Sequence, residues 1–563
     1  MKKNLTYILT ACALLVSCSG ILDENPGSYY EREEFFKDAQ TAAMGITGIY
    51  NVLPLLYGDY EMAMAASDDT YYVSGVNQDN GRRDIAHYQL TTTNTYVEND
   101  WRYTYDGLNR ANYMIAGIEG MDGYADSEEL QQLAAEAKFL RAFLSFNLVR
   151  YWGDVPYKTE YTGSYEQAYG PRVDREKIYD RIIADLEDAK ILPWADGASS
   201  PETATQGAVR GLLMRVLLAR AGYSLQMDGT LDRPSDAVRR EYFEAVIREW
   251  EAFVENGYHG FYPGGYEALF RSFSQGELNS KESIFEVAFY TVDGRTGARG
   301  YWGTYNGPLV AAPGIETTET DGYMGRANAM FRVIPEWRDF FEYSEDENGV
   351  RDERRDVMVC TYQYNWDSET YSHVVQDNIT RPKNWYPGKW RREWMPLGYK
   401  DPNITDVNYC SIRYADVVLM AAEAYNETGK SGKAWELLNS VRSRAGASQI
   451  TASNYESLMK SPKVYDLAFI DDSDEAGRFR TALFWERGFE LAFEGHRKYD
   501  LIRWGILKEA LALPADHDTR ANQGEDAFIA KTTFQSGKHE LFPIPLDEIQ
   551  ANPYLNNTNN PNY

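Results

Sequence analysis

A mostly α-helical fold of stacked helix pairs, interrupted by one long irregular stretch with short strands, is what this sequence predicts. Three observations predict it. Apolar residues recur at three and four positions over ten segments. Several segments come as pairs joined by short Gly-containing turns such as Asn426-Glu427-Thr428-Gly429-Lys430. Between about residues 256 and 409 that periodicity gives way to a composition rich in Gly, Tyr and Trp. Paired helices of this length suggest about four tetratricopeptide-like units, each burying its apolar face against the next.

At the start, Lys2 and Lys3 precede an apolar stretch, Tyr7 to Val16, too short to span a bilayer, so residues 1–17 read as a secretory signal. Leu15-Val16-Ser17-Cys18 then fits a bacterial lipobox, in which small residues admit a peptidase and the Cys18 thiol accepts a diacylglyceryl group. Each buried methylene of an acyl chain contributes about 0.8 kcal/mol, so the two or three chains of a lipoprotein anchor durably. Residues 18–27 form the expected tether, and residues 28–563 one domain.

Within that domain the helical pattern is clearest at Glu136–Trp152, where Phe139, Leu140, Phe143, Leu144, Phe146 and Leu148 line up before Gly153-Asp154-Val155-Pro156 ends it. Similar patterns occupy Ala39–Leu55, Trp101–Glu119, Arg175–Lys190, Gln206–Leu225 and Tyr242–Glu255 in a first block, about 39–255. A second block, about 413–511, holds Arg413–Thr428, Ser431–Ala445, Thr481–His496 and Tyr499–Leu511. The irregular region between them, with strand-like runs at Ser283–Tyr290 and Asp356–Tyr364, is long enough that it is expected to carry function.

Composition narrows the partners. With 57 Lys+Arg against 85 Asp+Glu, the net charge of -28 repels phosphate backbones and anionic lipid, whereas an uncharged sugar meets no global penalty. Nucleic acid is excluded, and membrane contact is expected only through the lipid. Of four cysteines, Cys12 and Cys18 belong to the signal region; Cys360 and Cys410 either pair or are separately buried thiols.

No catalytic constellation emerges, and no cofactor or metal is expected. The six histidines lack metal-ligand spacing. Gly429-Lys430-Ser431 lacks the leading glycine of a phosphate loop, because Ala424 stands there, and reads as a turn. The acidic clusters Ser344–Asn348 and Asp471–Glu475 depart from calcium-loop spacing and read as solvated loops. Glu486, Glu490 and Glu494 share one helix face, but a glycosidase needs two carboxyls across a cleft, so they read as an ion network compensated by Arg487, Arg497 and Arg503.

Aromatic residues carry the functional signal: 43 Tyr and 13 Trp exceed what helix packing needs. Trp101, Tyr105, Trp152, Trp435, Trp485 and Trp504 keep helical spacing and read as core. Tyr301-Trp302-Gly303-Thr304-Tyr305, Tyr72 after Asp69, and Tyr96 after Asn94 lie in polar stretches without a periodic apolar face. Flat rings beside Asn, Asp or Arg suit a sugar, which offers an apolar C–H face and hydroxyls to be paired. The candidate ligand residues are therefore Tyr72, Tyr96, Tyr301, Trp302 and Tyr305, with Asp69 and Asn94. Trp366, Trp385, Tyr386, Trp390 and Trp394 either extend that platform or face a partner protein.

Ordered motifs along nearly the whole chain resemble the SusD/RagB-like outer-membrane lipoproteins of Bacteroidota. They include Cys18 with Ile21-Leu22-Asp23-Glu24-Asn25-Pro26; Ser67-Asp68-Asp69; Trp101…Tyr105…Asn109-Arg110-Ala111-Asn112; Glu136-Ala137-Lys138-Phe139-Leu140-Arg141-Ala142; and Tyr151-Trp152-Gly153-Asp154-Val155-Pro156. In the second half come Arg413-Tyr414-Ala415-Asp416, Glu486-Arg487…Gly495-His496-Arg497 with Asp500-Leu501-Ile502-Arg503-Trp504-Gly505, and Leu541-Phe542-Pro543-Ile544-Pro545. The resemblance implies an outward-facing protein on the outer membrane that binds a glycan without cleaving it. It also implies a partner, a SusC-like TonB-dependent barrel over which it acts as a hinged lid. Relatives of the RagB type serve peptide import, so a peptide ligand is the alternative; a surface hydrolase is the third.

Overall fold

The computed structural model describes residues 35–290, 300–312, 324–346, 348–396, 403–514 and 528–563. The predicted signal, Cys18 and the tether lie outside the described residues.

Helices dominate. The first block contains α1 (Ala39–Tyr50), α2 (Leu53–Tyr57), α3 (Tyr60–Met64), α4 (Arg82–Ala86), α5 (Thr95–Glu119), α6 (Glu128–Trp152), α7 (Arg175–Ala189), α8 (Gln206–Ala221) and α9 (Asp236–Asn256). Polar side chains start the long ones: Ser127 accepts from Leu130 N at 3.3 Å to begin α6, and Ser235 accepts from Val238 N at 3.5 Å to begin α9. Helix α6 packs against α5 on one side and α7 on another, which explains why its second half is buried almost all round. It stops at Gly153, whose φ of +67° suits glycine and where a Cβ would stand 2.8 Å from the Arg175 guanidinium.

The second block holds α11 (Tyr414–Glu427), α12 (Ser431–Arg444), α13 (Glu475–Leu491) and α14 (Arg497–Arg503). Helices α11 and α12 pair across the turn at Gly429, α13 packs on both, and α9 of the first block packs on α11. Helix α8 pairs with α9 and touches α11 as well, so the helix pairs form one stack across the irregular region. The Gly429-Lys430-Ser431 segment is the turn the sequence predicts, and Asp474, in the second acidic cluster, caps α13 by accepting from Gly477 N at 2.7 Å.

The intervening region is less irregular than expected. It contains α10 (Tyr266–Ser274), whose Tyr266, Leu269, Phe270 and Phe273 make one buried stripe, and short turns at Glu336–Phe340 and Arg354–Met358. The last corrects the strand expected over Asp356–Tyr364, which is extended only from Val359 onward. Three of its two-stranded antiparallel pairings are β1 (Tyr71–Val73), contributed by the first block, with β3 (Phe331–Val333), β2 (Ser283–Val287) with β6 (Tyr409–Arg413), and the hairpin of β4 (Tyr362–Asp367) and β5 (Ser372–Asp377). In two of the three, partners come from segments far apart in the chain, so the sheets tie the interruption to the helices that flank it. One apolar cluster runs from Ala42 to Leu555 and includes residues of both blocks and of the region between them.

Candidate ligand-binding site

Four segments meet around one guanidinium group. They are Asp59-Tyr60 at the start of α3, Arg82 at the start of α4, Tyr96 in the first turn of α5 with Tyr103 seven residues on, and the turn from Tyr301 to Tyr305. Seven residues are almost two full helical turns, so Tyr96 and Tyr103 stand on the same face of α5. Asn94 caps that helix, accepting from Tyr96 N and Val97 N at 3.1 and 3.2 Å, and its Nδ2 donates to Gly81 O at 3.0 Å. One side chain thereby fixes the start of α5 against the start of α4.

Arg82 is the centre. Its Nη2 donates to Asp59 Oδ2 at 2.6 Å and to the Tyr96 hydroxyl at 3.1 Å, and that hydroxyl donates to the same Asp59 oxygen at 2.6 Å. The guanidinium lies 4.5 Å over the Tyr305 ring, which stacks on Tyr301 with centroids 4.5 Å apart and planes 3° from parallel. On the other flank Tyr60 meets Tyr96 edge-on at 5.1 Å and stacks on Tyr103 at 6.1 Å, and Arg102 lies 4.8 Å over Tyr103. All five tyrosines are half-buried, Arg82 is buried, and Arg102 is exposed.

The Tyr301–Tyr305 turn divides its side chains by helical geometry. Tyr305 N donates to Tyr301 O at 3.1 Å, which puts those two rings on one side. Trp302 points the other way. Gly303, at φ +80°, lets the turn sit close to its neighbours, since a Cβ there would meet Met395 at 2.4 Å.

Burial pushes the Tyr305 phenol up to about 12, with the nearby Asp59 carboxylate adding to it, and Tyr96 is raised for the same two reasons. Burial opposes the charge of Arg82, but Asp59 and the phenols around it more than compensate, so it is held protonated. The site therefore presents neutral phenols and a closed ion pair: ring faces for apolar C–H contact, and hydroxyl and carboxylate oxygens for hydrogen bonds.

Of the seven residues expected to bind ligand, the structure brings Tyr96, Tyr301 and Tyr305 together and places the other four inside the protein. Trp302 is 2 % exposed, donates through Nε1 to Tyr57 O at 3.0 Å and stacks on Tyr409 at 4.6 Å. Tyr72 is 1 % exposed in β1, opposite Arg332, with Phe528 edge-on at 6.3 Å. Asp69 is fully buried in an ion pair with Arg497, and Asn94 is spent on its cap. The correction has one cause: a polar neighbourhood in sequence is no guide to which way a side chain points within a turn or short strand. Tyr60, Tyr103, Asp59 and Arg82 are the residues the sequence reading missed, and the seven-residue spacing of Tyr96 and Tyr103 is the signal that reveals one of them.

The later aromatic group divides similarly. Trp385, Tyr386, Trp390 and Trp394 are buried, while Trp366 is half-buried on the β4–β5 hairpin, edge-on to His373 at 5.0 Å.

The carboxylates of α13 and its end form a buried lattice, with different partners from those expected. Glu486 pairs with Arg354 and Arg442 at 2.6 and 2.9 Å. Glu490 pairs with Arg413 at 2.6 Å and with Arg354 and Arg444; Glu494 pairs with Arg413 at 2.6 Å and with Lys389. Arg487, Arg497 and Arg503 turn instead to Asp416 and Asp500, to Asp69, and to Glu423 and Asp500. Each of these acids is held in at least one ion pair, and Glu486, Glu490 and Glu494 are buried with their cations. Among the described residues no group of His, Cys, Asp and Glu is arranged to hold a metal, and no helix is long and apolar enough to cross a membrane. Cys360 and Cys410 are free and buried.

Two family profiles match the chain: one described as the SusD family over residues 281–563, and one described as starch-binding associating with outer membrane over residues 22–218. A SusD-like protein P25 from Formosa agariphila is 24% identical over 98% of this chain and 96% of its own length, and a SusD-like protein from Bacteroides ovatus is 23% identical over 99% and 97%. Among solved structures, a SusD homolog from Bacteroides thetaiotaomicron superposes with a TM-score of 0.76 at 27% identity, covering 94% of this chain and 98% of that one. A laminarin binding SusD-like protein superposes at 0.64 with 22% identity, covering 93% and 99%, and a surface glycan-binding protein A from Bacteroides fluxus at 0.66 with 20%, also covering 93% and 99%.

Proposed function

We propose that this chain, which belongs to the SusD family, captures a glycan on the tyrosine platform around Arg82 and hands it on for uptake without cleaving it. The observation that carries the reading is the convergence of five half-buried tyrosines from separate segments on one guanidinium–carboxylate pair. Rings that are braced by an ion pair before any ligand arrives lose little freedom on binding, so stacking energy goes into affinity. Two structural relatives are called laminarin binding and surface glycan-binding, which supports a carbohydrate as the ligand class. The acids of α13 are locked in ion pairs, in keeping with capture rather than hydrolysis.

The finer reading places the protein on the outer face of the outer membrane, held by lipid on Cys18, with a SusC-like TonB-dependent barrel as the partner that receives the glycan. The lipobox of residues 15–18 supports the anchor, and family membership supports the partner.

Calorimetry of the purified mature chain against laminarin, starch, xylan and mannan, beside a peptide mixture, tests the ligand class. The expected result is binding to one glycan class, no product released on long incubation, and a loss of affinity of about tenfold or more in Tyr305→Ala. Binding to peptides alone would transfer the reading to peptide import; release of oligosaccharide would make the protein a hydrolase. Replacing Cys18 by serine should move the protein from the membrane fraction to the soluble one.

A further inference from the structure

A second property of the platform concerns the charge of its ligand, and it rests on the glycan reading above. At the tyrosines and in the loop that leads into α4 stand three guanidinium groups, Arg82, Arg83 and Arg102, and three carboxylates, Asp59, Asp79 and Asp84. Five of the six are engaged in ways that hold the site's own backbone or rings. Asp84 accepts from Asp79 N and Asn80 N at 3.0 and 3.1 Å, and Asp79 accepts from Gly81 N at 3.0 Å, which together shape the loop before α4. Arg83 donates to Ser74 O and Asn77 O at 3.1 and 2.9 Å. Arg102 donates to Asn99 Oδ1 at 2.8 Å from its place over Tyr103, and Arg82 is spent on Asp59, Tyr96 and Tyr305.

The sixth, Asp59, is engaged as well, accepting from Arg82 and from the Tyr96 hydroxyl, and it differs in exposure. Its side chain is 17% exposed against 7% for Arg82, so the acid is the solvent-side partner of the pair. The guanidinium lies over the Tyr96 and Tyr305 rings, 5.4 and 4.5 Å from their centroids, while the carboxylate sits at the hydroxyl edge of Tyr96, where it is the more accessible half of the pair to a ligand at that edge. We infer that Asp59 is a specificity-determining residue: it neutralises Arg82 and is the more exposed charge of that pair, so that the site takes neutral glycans and gains nothing from chains bearing uronate or sulfate.

The physical reason is the asymmetry between neutral and charged ligands at a half-dehydrated surface. A sugar hydroxyl donates to a carboxylate oxygen at no electrostatic cost, whereas a ligand carboxylate there meets like charge with few waters to separate them. The protein's net charge of -28 has the same sign and opposes the approach of an acidic chain as well. Repulsion built against the wrong ligand is a general route to specificity. Asparagine at position 59 keeps the shape of the side chain and removes the screen, which uncovers Arg82. Glutamine at position 82 does the reverse and leaves the acid unopposed.

The test is calorimetry of the mature chain with laminarin and amylose fragments and with the same fragments oxidised at their primary hydroxyls to uronates. The wild type is expected to bind the neutral form of its glycan about tenfold more tightly than the oxidised form. In Asp59→Asn that ratio should shrink about tenfold or invert, and in Arg82→Gln it should widen. Raising salt from 20 to 500 mM should narrow the wild-type ratio, a readout that needs no variant. Equal binding of the two forms by the wild type, or an unchanged ratio in an Asp59→Asn protein that melts as the wild type does, overturns the inference and leaves the glycan reading standing. Binding of neither form, together with no binding to any glycan of the wider panel, overturns both.

Discussion

Asp69 and Arg497, 428 positions apart in the chain, meet in a two-pronged ion pair: Nε to Oδ1 and Nη2 to Oδ2, each at 2.7 Å. Neither side chain reaches solvent to any extent, with exposures of 0 and 1%. The guanidinium also lies 4.1 Å over Phe484, and its Nη1 donates to Phe484 O at 2.7 Å, so the pair joins the segment before β1 to α13 and α14. Breaking a buried pair strands one charge, at about 3–5 kcal/mol. Asp69→Asn and Arg497→Met are each expected to destabilise by that order in urea unfolding. The double variant should lose less than the two together, because no charge is left alone.

Glu490 gives the fold a dependence on acid. Burial alone would raise its carboxyl, but Arg444, Arg413 and Arg354 overcome that and hold it at about 2. In the unfolded chain it titrates near 4.3. A depressed acid contributes its full stability above the unfolded pKa and loses it as pH falls from about 4.3 toward 2. The difference in stability between wild type and Glu490→Gln should therefore be constant above about pH 5 and shrink by roughly 3 kcal/mol between pH 4.5 and 2. Urea unfolding at a series of pH values measures it; a difference that grows on acidification would contradict the assignment.

Glu61, Asp68 and Glu286 pull the opposite way. Burial is the first cause in each, and each carboxyl is pushed up to about 7. Such a group is protonated when folded and ionised when unfolded between about pH 4.5 and 7, so stability falls as pH rises through that window. In Glu286→Gln, the loss of stability between pH 5 and 7.5 should be smaller than in the wild type, read from melting temperatures across that range.

The thiols supply a check on packing. Cys360 lies in the extended segment before β4, Cys410 in β6, and burial pushes both thiols up, Cys360 to about 11. A raised, buried thiol reacts slowly because the thiolate is the nucleophile. The mature chain with Cys18 replaced should show no fast labelling by a thiol reagent when folded and two labels when unfolded, with or without reductant. One label or none in the unfolded, unreduced chain would mean that a cysteine is oxidised.

How far the sequence could be read depended on the kind of signal. Helices whose apolar spacing persists for three turns or more were legible as helices: Arg175–Ala189 and Ser431–Arg444 lie within one residue of expectation, whereas α5, α6 and α9 begin at Thr95, Glu128 and Asp236, before the expected Trp101, Glu136 and Tyr242, because their first turns are largely polar. The stripe of Tyr266, Leu269, Phe270 and Phe273 was equally regular but only nine residues long, and the surrounding Gly and Tyr masked it. Strand β1 was not legible, because its partner β3 lies more than 250 residues away and three residues show no period. At the candidate site, the turn and the helix start singled out by composition, Tyr301–Tyr305 and Tyr96, lie together around Arg82. Composition could not tell ring from ring, since burial there is set by tertiary contacts such as Tyr409 beneath Trp302. Arg82 and Asp59 carried no local mark at all: an ion pair between segments 23 residues apart becomes visible only in three dimensions.

That division of one turn makes a sharp prediction. Trp302 and Tyr301 are neighbours in sequence, yet one ring fills a space between Trp390 and Tyr409 and the other stacks half-buried on Tyr305. Truncating a buried tryptophan leaves a cavity and costs about 3–5 kcal/mol, whereas losing one face of a half-buried stack costs on the order of 1 kcal/mol. Trp302→Ala should therefore lower the unfolding midpoint strongly, and any loss of glycan binding should follow the loss of folded protein. Tyr301→Ala should melt within a few degrees of the wild type and lose affinity while fully folded. Melting and binding measured on the same preparations separate the two. A Trp302→Ala protein that is as stable as the wild type but does not bind would put the indole back among the ligand contacts and overturn the orientation of this turn.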